Sequence, residues 1–284
     1  MVTIENVREA VQALNLSGQP LCVHASLRSF GWVEDGASTV IEGLLSEHCT
    51  IMVPTFSYFF AVSPPVEMRP ERNGCRYEPF SEQTPGIGRI YSPDSVEISR
   101  GDMGAIPAAI VEMPQRLRGN HPLNSFSAVG PLAQELIADQ TPSDVYAPLI
   151  TLTEAGGSIV MMGVGLERMT FLHLAEHQAG RNLFIRWAND PDGQPMAVTV
   201  GSCSKGFGKL EPMLAPIIEE RKVGHSTWRV FPAKAVLEVA ARAVWENPEI
   251  THCGDPECIR CNDALKGGPI LPGNIYKKVG PSDR

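Results

Sequence analysis

Leu21-Cys22-Val23-His24-Ala25-Ser26-Leu27-Arg28-Ser29, then Val40, Ile41, Leu44 and Leu45, then Ile51-Met52-Val53-Pro54-Thr55-Phe56: this stretch decides the fold. Leu21-Cys22-Val23 is a short unbroken apolar run, the pattern of a buried strand. Val40, Ile41, Leu44 and Leu45 mark one face of a helix. Ile51-Met52-Val53 is a second apolar run, stopped by Pro54. Strand, helix and strand within about 35 residues read as a βαβ unit with parallel strands.

The pattern extends in both directions. Ile4, Val7, Val11 and Leu14 recur at helical spacing, with Thr3 available as a cap. Leu132, Ala133, Leu136 and Ile137 make another helix face. Ser158 to Met162 reads as a strand entering the turn Gly163-Val164-Gly165, with a helix from Met169 to Ala179. Met196 to Val200 and Trp228 to Phe231 read as strands, and Val236, Val239, Ala240, Ala243 and Val244 as a helix. Residues 61–100 are dominated by proline, glycine and charge and read as an irregular excursion, the kind of loop that forms lids. The expectation is an α/β fold in one domain over 1–284. A central mixed sheet is flanked by helices, with the loop insertion at 61–100 and a Cys-rich tail at 250–284.

Composition narrows the partners. Of 284 residues, 43% are hydrophobic and 20% charged, which is globular rather than disordered. No apolar run reaches the roughly 20 residues of a membrane span, and Met1-Val2-Thr3-Ile4-Glu5 lacks the start of a secretory signal. The expectation is a cytoplasmic protein off the membrane. The 32 acidic and 24 basic residues give a formal charge of −8. That argues against nucleic acid and fits a cationic small molecule, although many soluble proteins are equally acidic. Seven cysteines, four of them scattered, read as reduced thiols.

Four constellations bear on chemistry. In His173-Leu174-Ala175-Glu176-His177 a helix would bring His173 near Glu176 at i+3 and His177 at i+4. A histidine there suits proton transfer at neutral pH, but a solvated helix face explains the same residues. The five also fit H-x-x-E-H, with His173 and His177 as zinc ligands and Glu176 activating water. That reading needs a further ligand, for which Glu219 or Glu220 is available. His121, held extended by Pro122, belongs to a cleft or a surface loop. His24 to Ser29 follows a strand at the end where α/β sheets bind ligands. Arg28 suits a phosphate there, and backbone N–H groups suit a pyrophosphate or thioester carbonyl. Neither a P-loop nor G-x-G-x-x-G is present, because Arg168 stands where the third glycine would be. Finally His252, Cys253, Cys258 and Cys261 lie within ten residues and offer four ligands for a structural zinc. Adjacent His252 and Cys253 fit one tetrahedral ion poorly.

Taken in order, LCVHASLRSFGWVEDGASTVIEGLL (21–45), TIMVPTFS (50–57), HPLNSFSAVGP (121–131) and GGSIVMMGVGLERMTFLHLAEH (156–177) resemble the aminoglycoside N3-acetyltransferase family. The resemblance covers about residues 1–265. It implies an α/β fold, acetyl-coenzyme A as cosubstrate and direct acetyl transfer to an amine, with no metal in the chemistry. The acceptor it implies is the 3-amino group of an aminoglycoside antibiotic. It maps His173 as general base, Glu176 as its carboxylate and His121 into the cleft. His24, Ala25, Ser26, Leu27, Arg28 and Ser29, with Thr55 and Phe56, map to the coenzyme side.

This sequence departs from the family's pattern in three places. Val198 to Gly206 lacks a carboxylate where antibiotic-modifying members carry an acidic stretch, and Cys203 lies in it. The family's RS-x-HP becomes Arg118-Gly119-Asn120-His121, and its SP-L becomes Ala147-Pro148-Leu149. These changes fall in the stretches that bear on the acceptor. Two other readings therefore stand: a zinc hydrolase on His173, Glu176 and His177, or a family member that acetylates another amine or only binds coenzyme.

Overall fold

A computed structural model describes residues 1–80 and 88–270. The remainder of the 61–100 insertion, and the end of the 250–284 tail, lie outside the described residues. Nine strands are present among the described residues: β1 Pro20–Ala25, β2 Thr50–Pro54, β3 Leu117–Arg118, β4 Phe126–Val129, β5 Ser158–Met162, β6 Phe184–Asn189, β7 Pro195–Val200, β8 Glu219–Val223 and β9 Ser226–Pro232. Seven form one sheet in the order β3-β4-β2-β1-β5-β9-β8, while β6 and β7 form a separate hairpin. β2, β1 and β5 are parallel, and every other pairing in the sheet is antiparallel. The sheet is mixed, as expected, and the βαβ unit at its centre is the one read from residues 21–53.

The unbroken apolar runs follow from burial on both faces. Cys22, Met52, Ile159, Met161 and Phe231 point into one core, against helices Ala147–Glu154, Phe171–Gln178 and Ala233–Glu246. Leu21, Val23, Ile51, Val53, Val160, Met162, Trp228 and Val230 point into the other, against helices Ile4–Ala13, Ala37–Ser46 and Ala105–Glu112. Period-two alternation thus feeds two cores, giving three layers. The first helix is capped as read: Thr3 Oγ1 accepts from Asn6 N, and Asn6 Oδ1 accepts from Thr3 N at 3.1 Å.

Four strands escaped the sequence reading: β3, β4, β6 and β8. β8, Glu-Glu-Arg-Lys-Val, is an edge strand with four exposed charged residues and shows no apolar alternation. β4 lies inside the block that followed His121. β6 pairs with β7 from Phe184↔Val200 to Asn189↔Pro195, so the strand expected at 196–200 belongs to a hairpin beside the main sheet. That hairpin packs on Phe60, Tyr91 and Leu123 and so ties the insertion to the fold.

Arg118 is the polar anchor of this region. It is 4% exposed and donates to Thr55 O (2.7 Å), Ser95 O (2.6 Å), Glu97 O (3.0 Å) and Ser125 Oγ (2.9 Å). Its guanidinium sits 5.3 Å from the Tyr91 ring centroid. One buried side chain thereby holds three segments together. Arg118→Met should destabilise the protein by about 3 kcal/mol in urea unfolding, because it strands buried carbonyls. A change under about 1 kcal/mol would show that water satisfies them instead.

Candidate active site at the carboxyl edge of the sheet

β5 ends at Met162 and the chain turns through Gly163-Val164-Gly165 into helix Phe171–Gln178. Gly163 has φ +65, and a Cβ there would lie 2.1 Å from Ser29 Oγ, so the turn requires glycine. Phe171, Leu172, Leu174 and Ala175 enter the core. That leaves His173 and Glu176, one turn apart, facing the carboxyl ends of the strands.

Glu176 is 4% exposed and its carboxylate is fully engaged. Oε2 lies 3.2 Å from His173 Nδ1 and accepts from Ser202 Oγ at 2.6 Å. Oε1 accepts from Thr251 Oγ1 at 2.7 Å and from Arg181. Arg181 also donates to Thr251 Oγ1 at 2.7 Å. Burial pushes the Glu176 carboxyl up, but the His173 hydrogen bond and charge, then Arg181 and Ser202, outweigh it and hold the pKa below the ordinary value.

His173 is clamped from the sides as well. Its ring stacks on Tyr146 at 6.4 Å and meets the Phe207 edge at 4.7 Å. A Cβ on Gly201 would lie 2.7 Å from His173 Cγ and 2.4 Å from the Tyr146 hydroxyl, so only glycine fits. Nδ1 is committed to Glu176, with Ser202 Oγ 3.4 Å away. Nε2 makes no hydrogen bond among the described residues, and His173 lines a cavity of about 940 Å³.

The cavity is also lined by the end of β1, the Ser26–Arg28 turn, residues 100–108 and residues 164–170, together with Tyr58, Asn124, Tyr146, Arg186, the 200–205 loop and Arg260. Leu27 N and Arg28 N open the 3-10 turn and have no hydrogen-bond acceptor among the described residues.

Comparison with known proteins agrees with this architecture. A family profile described as aminoglycoside 3-N-acetyltransferase matches residues 22–244. The chain belongs to the aminoglycoside 3-N-acetyltransferase family. This is a family of acyltransferases. Aminoglycoside N(3)-acetyltransferase IV from Salmonella sp is 30% identical over 264 residues, covering 84% of this chain and 87% of that one. Other relatives are matched over less of their length, 56% for the Streptomyces fradiae enzyme VIII and 62% for the Micromonospora chalcea enzyme IX. The crystal structure of aminoglycoside acetyltransferase AAC(3)-IVa superposes with TM-score 0.73 at 22% identity, covering 94% of this chain and 97% of that one. AAC-IIIb in binary complex with CoASH superposes with TM-score 0.69 at 23% identity, over 86% of this chain and 96% of that one. At these identities the superpositions establish the fold.

Against the family's pattern, the structure sorts the sequence-derived residues. His173 and Glu176 come together as read. His24, Ala25, Ser26, Leu27, Arg28 and Phe56 line the cavity. Ser29 and Thr55 do not. Ser29 Oγ bonds to Ser26 O (2.7 Å) and Ser226 Oγ (2.8 Å). Thr55 Oγ1 is buried against Ser125 and Ser127. His121 also needs correcting, because it is wholly buried and does not line the cavity. Its Nε2 is 2.8 Å from Thr199 O, and its Nδ1 accepts from Asn124 N (2.9 Å) and Leu123 N (3.2 Å). It is a structural neutral imidazole that ties the 121–124 turn to β7.

The H-x-x-E-H geometry does not form. His177 Nδ1 donates to Arg181 O at 2.9 Å, away from His173. Glu176 is consumed by four partners, and Glu219 and Glu220 lie exposed on β8. The tail needs a correction too. His252 Nδ1 accepts from Gly254 N (3.0 Å) and its Nε2 lies 3.2 Å from Asn262 Oδ1, so neither nitrogen is free for a metal. Cys203 takes that place, and the ligand atoms of Cys203, Cys253, Cys258 and Cys261 all lie within 4.8 Å of one another. Sequence reasoning also missed Gly201, Ser202, Arg181 and Thr251, none of which carries a local motif.

Burial lowers the pKa of His121 from 6.5 to about 4, and likewise that of His24. Below pH 6.5 the unfolded chain takes up protons that the folded one refuses, so stability falls as pH falls, fading only below the folded pKa of about 4. Each histidine should contribute about 2 kcal/mol to the loss between pH 6.5 and about pH 5. Urea unfolding of His121→Gln should show a correspondingly shallower fall than the wild type. Identical pH slopes would contradict the assignment.

Proposed function

We propose that the protein transfers an acetyl group from acetyl-coenzyme A to an amine in a single direct step, with His173 as general base. The observation that carries this reading is a cavity-lining histidine whose Nδ1 is held by a buried carboxylate while Nε2 makes no hydrogen bond among the described residues. An ammonium has no lone pair, so the acceptor must first lose one proton to water to give the free amine. Nε2 then accepts a second proton from that nitrogen as it bonds to the thioester carbonyl carbon. The charge on the carbonyl oxygen develops near the unpaired N–H groups of Leu27 and Arg28. The C–S bond then breaks, its electron pair leaves on sulfur, and the imidazolium returns the proton to give the free thiol. Glu176 stabilises the imidazolium through Nδ1–H, as a carboxylate does in any acid–base pair of this kind.

Arg28 and Arg168 both line the cavity, which suits the phosphates of the coenzyme. The solved AAC-IIIb complex with CoASH supports a coenzyme in this fold. The family name carries an aminoglycoside as acceptor, and a structure of AAC(3)-IVa bound to a gentamicin is among the similar folds. The charges of this cavity favour a different amine. His173→Ala should lower kcat by about 10²- to 10⁴-fold and leave KM for acetyl-coenzyme A within a few-fold, measured by thiol release. Unchanged turnover would remove His173 as base.

The cysteine cluster supports one structural zinc. Tetrahedral Zn–S bonds of about 2.3 Å place sulfurs about 3.8 Å apart, within the spread seen here. Cys258 caps helix Ile259–Leu265, and Cys203 follows Ser202, so the ion would pin that helix to the loop that holds Glu176. The purified protein should carry about one zinc per chain, lost in both Cys258→Ser and Cys203→Ser. Metal retained by both variants would overturn the site.

A further inference from the structure

The acceptor wall of the cavity is basic, against the charge of the whole chain. Arg186 reaches it from β6, Lys205 from the loop after β7, and Arg260 from helix Ile259–Leu265. None of the three forms an ion pair with a carboxylate among the described residues. Arg186 is braced only by carbonyls, donating to Asn73 O (3.1 Å) and Ile185 O (2.6 Å), and it lies 5.9 Å from the Phe184 ring centroid. Asn73-Gly74 also receives Arg260's helix, because Gly74 N donates to Asp263 Oδ2 at 2.7 Å. The two guanidiniums are therefore set on one wall by shared backbone. Burial lowers the Arg186 pKa and the charge of Arg260 adds to that, against the opposing effect of Cys75. The carboxylates that line the cavity are Asp102 and Glu167, and neither forms an ion pair with Arg186, Lys205 or Arg260 among the described residues.

Like charges without a counter-ion repel one another, and an anion placed between them relieves that repulsion. The cations beside the Ser26–Arg28 turn are accounted for by coenzyme phosphates. Arg186, Lys205 and Arg260 come from other elements, β6, the loop after β7 and helix Ile259–Leu265, and are not. A polycationic sugar would meet three positive side chains there, which disfavours both approach and docking.

We infer that the acceptor is a primary amine carrying an anionic group, a phosphate, phosphonate or carboxylate, and that Arg186, Arg260 and Lys205 hold this group while the amine faces His173. The inference rests on the acetyl-transfer reading for the amine but not for the anion. The two guanidiniums supply forked donors suited to a tetrahedral or planar oxyanion, and the lysine adds a mobile charge at the rim.

The test measures thiol release from acetyl-coenzyme A with phosphoethanolamine, β-alanine, ethanolamine and gentamicin. Phosphoethanolamine or β-alanine should exceed ethanolamine at least ten-fold in kcat/KM, with gentamicin lowest. Arg260→Gln, an exposed position, should raise KM for the anionic amine about ten-fold and leave KM for acetyl-coenzyme A unchanged. Arg186→Gln should do the same, and Arg260→Glu should narrow the gap to gentamicin. Preference for gentamicin or ethanolamine, indifferent to Arg260→Gln, would overturn the inference. If no amine releases thiol, calorimetry with inorganic phosphate and coenzyme A-saturated protein separates the two claims. Phosphate binding lost in Arg260→Gln would uphold the anion site while acetyl transfer to these amines fails. Absence of phosphate binding in the wild type would overturn it.

Discussion

A carboxylate almost wholly removed from water stays ionised only when donors replace the lost solvent, and Glu176 obtains them from four places in the chain. His173 is on its own helix, Arg181 lies just beyond that helix, Ser202 follows β7, and Thr251 ends the turn after the long helix Ala233–Glu246. These segments must converge for the charge to be tolerated. The β6–β7 hairpin and the tail, neither part of the main sheet, are thus drawn to its carboxyl edge. The cysteine cluster acts on the same loop, since Cys203 is the residue after Ser202. Cysteine cluster, carboxylate and histidine form one connected assembly.

The sheet's centre was legible because its chemistry is local. Apolar runs at 21–23, 51–53 and 158–162, separated by helical periodicity, specify parallel strands buried on both faces. His173 and Glu176 were legible for the same reason, since i, i+3 spacing on a helix dictates their contact. The rest depends on long-range closure. Ser202 meets Glu176 across 26 residues and Thr251 meets it across 75. No motif records such contacts. β8 was hidden because an edge strand gains from charge and not from apolar alternation.

His121 and His252 show the opposite failure, in which a histidine in a suggestive setting turns out to be structural. Both use ring nitrogens to accept from backbone N–H groups two or three residues ahead, a local turn that sequence spacing does not distinguish from a ligand. Cys203 joins the tail's cysteines from 50 residues before Cys253, separated from it by two strands. The chain's −8 describes its surface as a whole, whereas the proposed anion-binding group rests on Arg186, Lys205 and Arg260, which line one cavity.

In the proposed mechanism Glu176 holds His173 as the tautomer with its proton on Nδ1 and its lone pair on Nε2. The ¹⁵N shifts of the His173 ring, assigned by comparison with His173→Ala and recorded above neutral pH, test this directly. A protonated-type Nδ1 and a lone-pair-type Nε2 are predicted, with the preference weakened in Ser202→Ala. A lone-pair-type Nδ1 beside Glu176 would contradict the account, because Nε2 would then have no electron pair with which to take the proton.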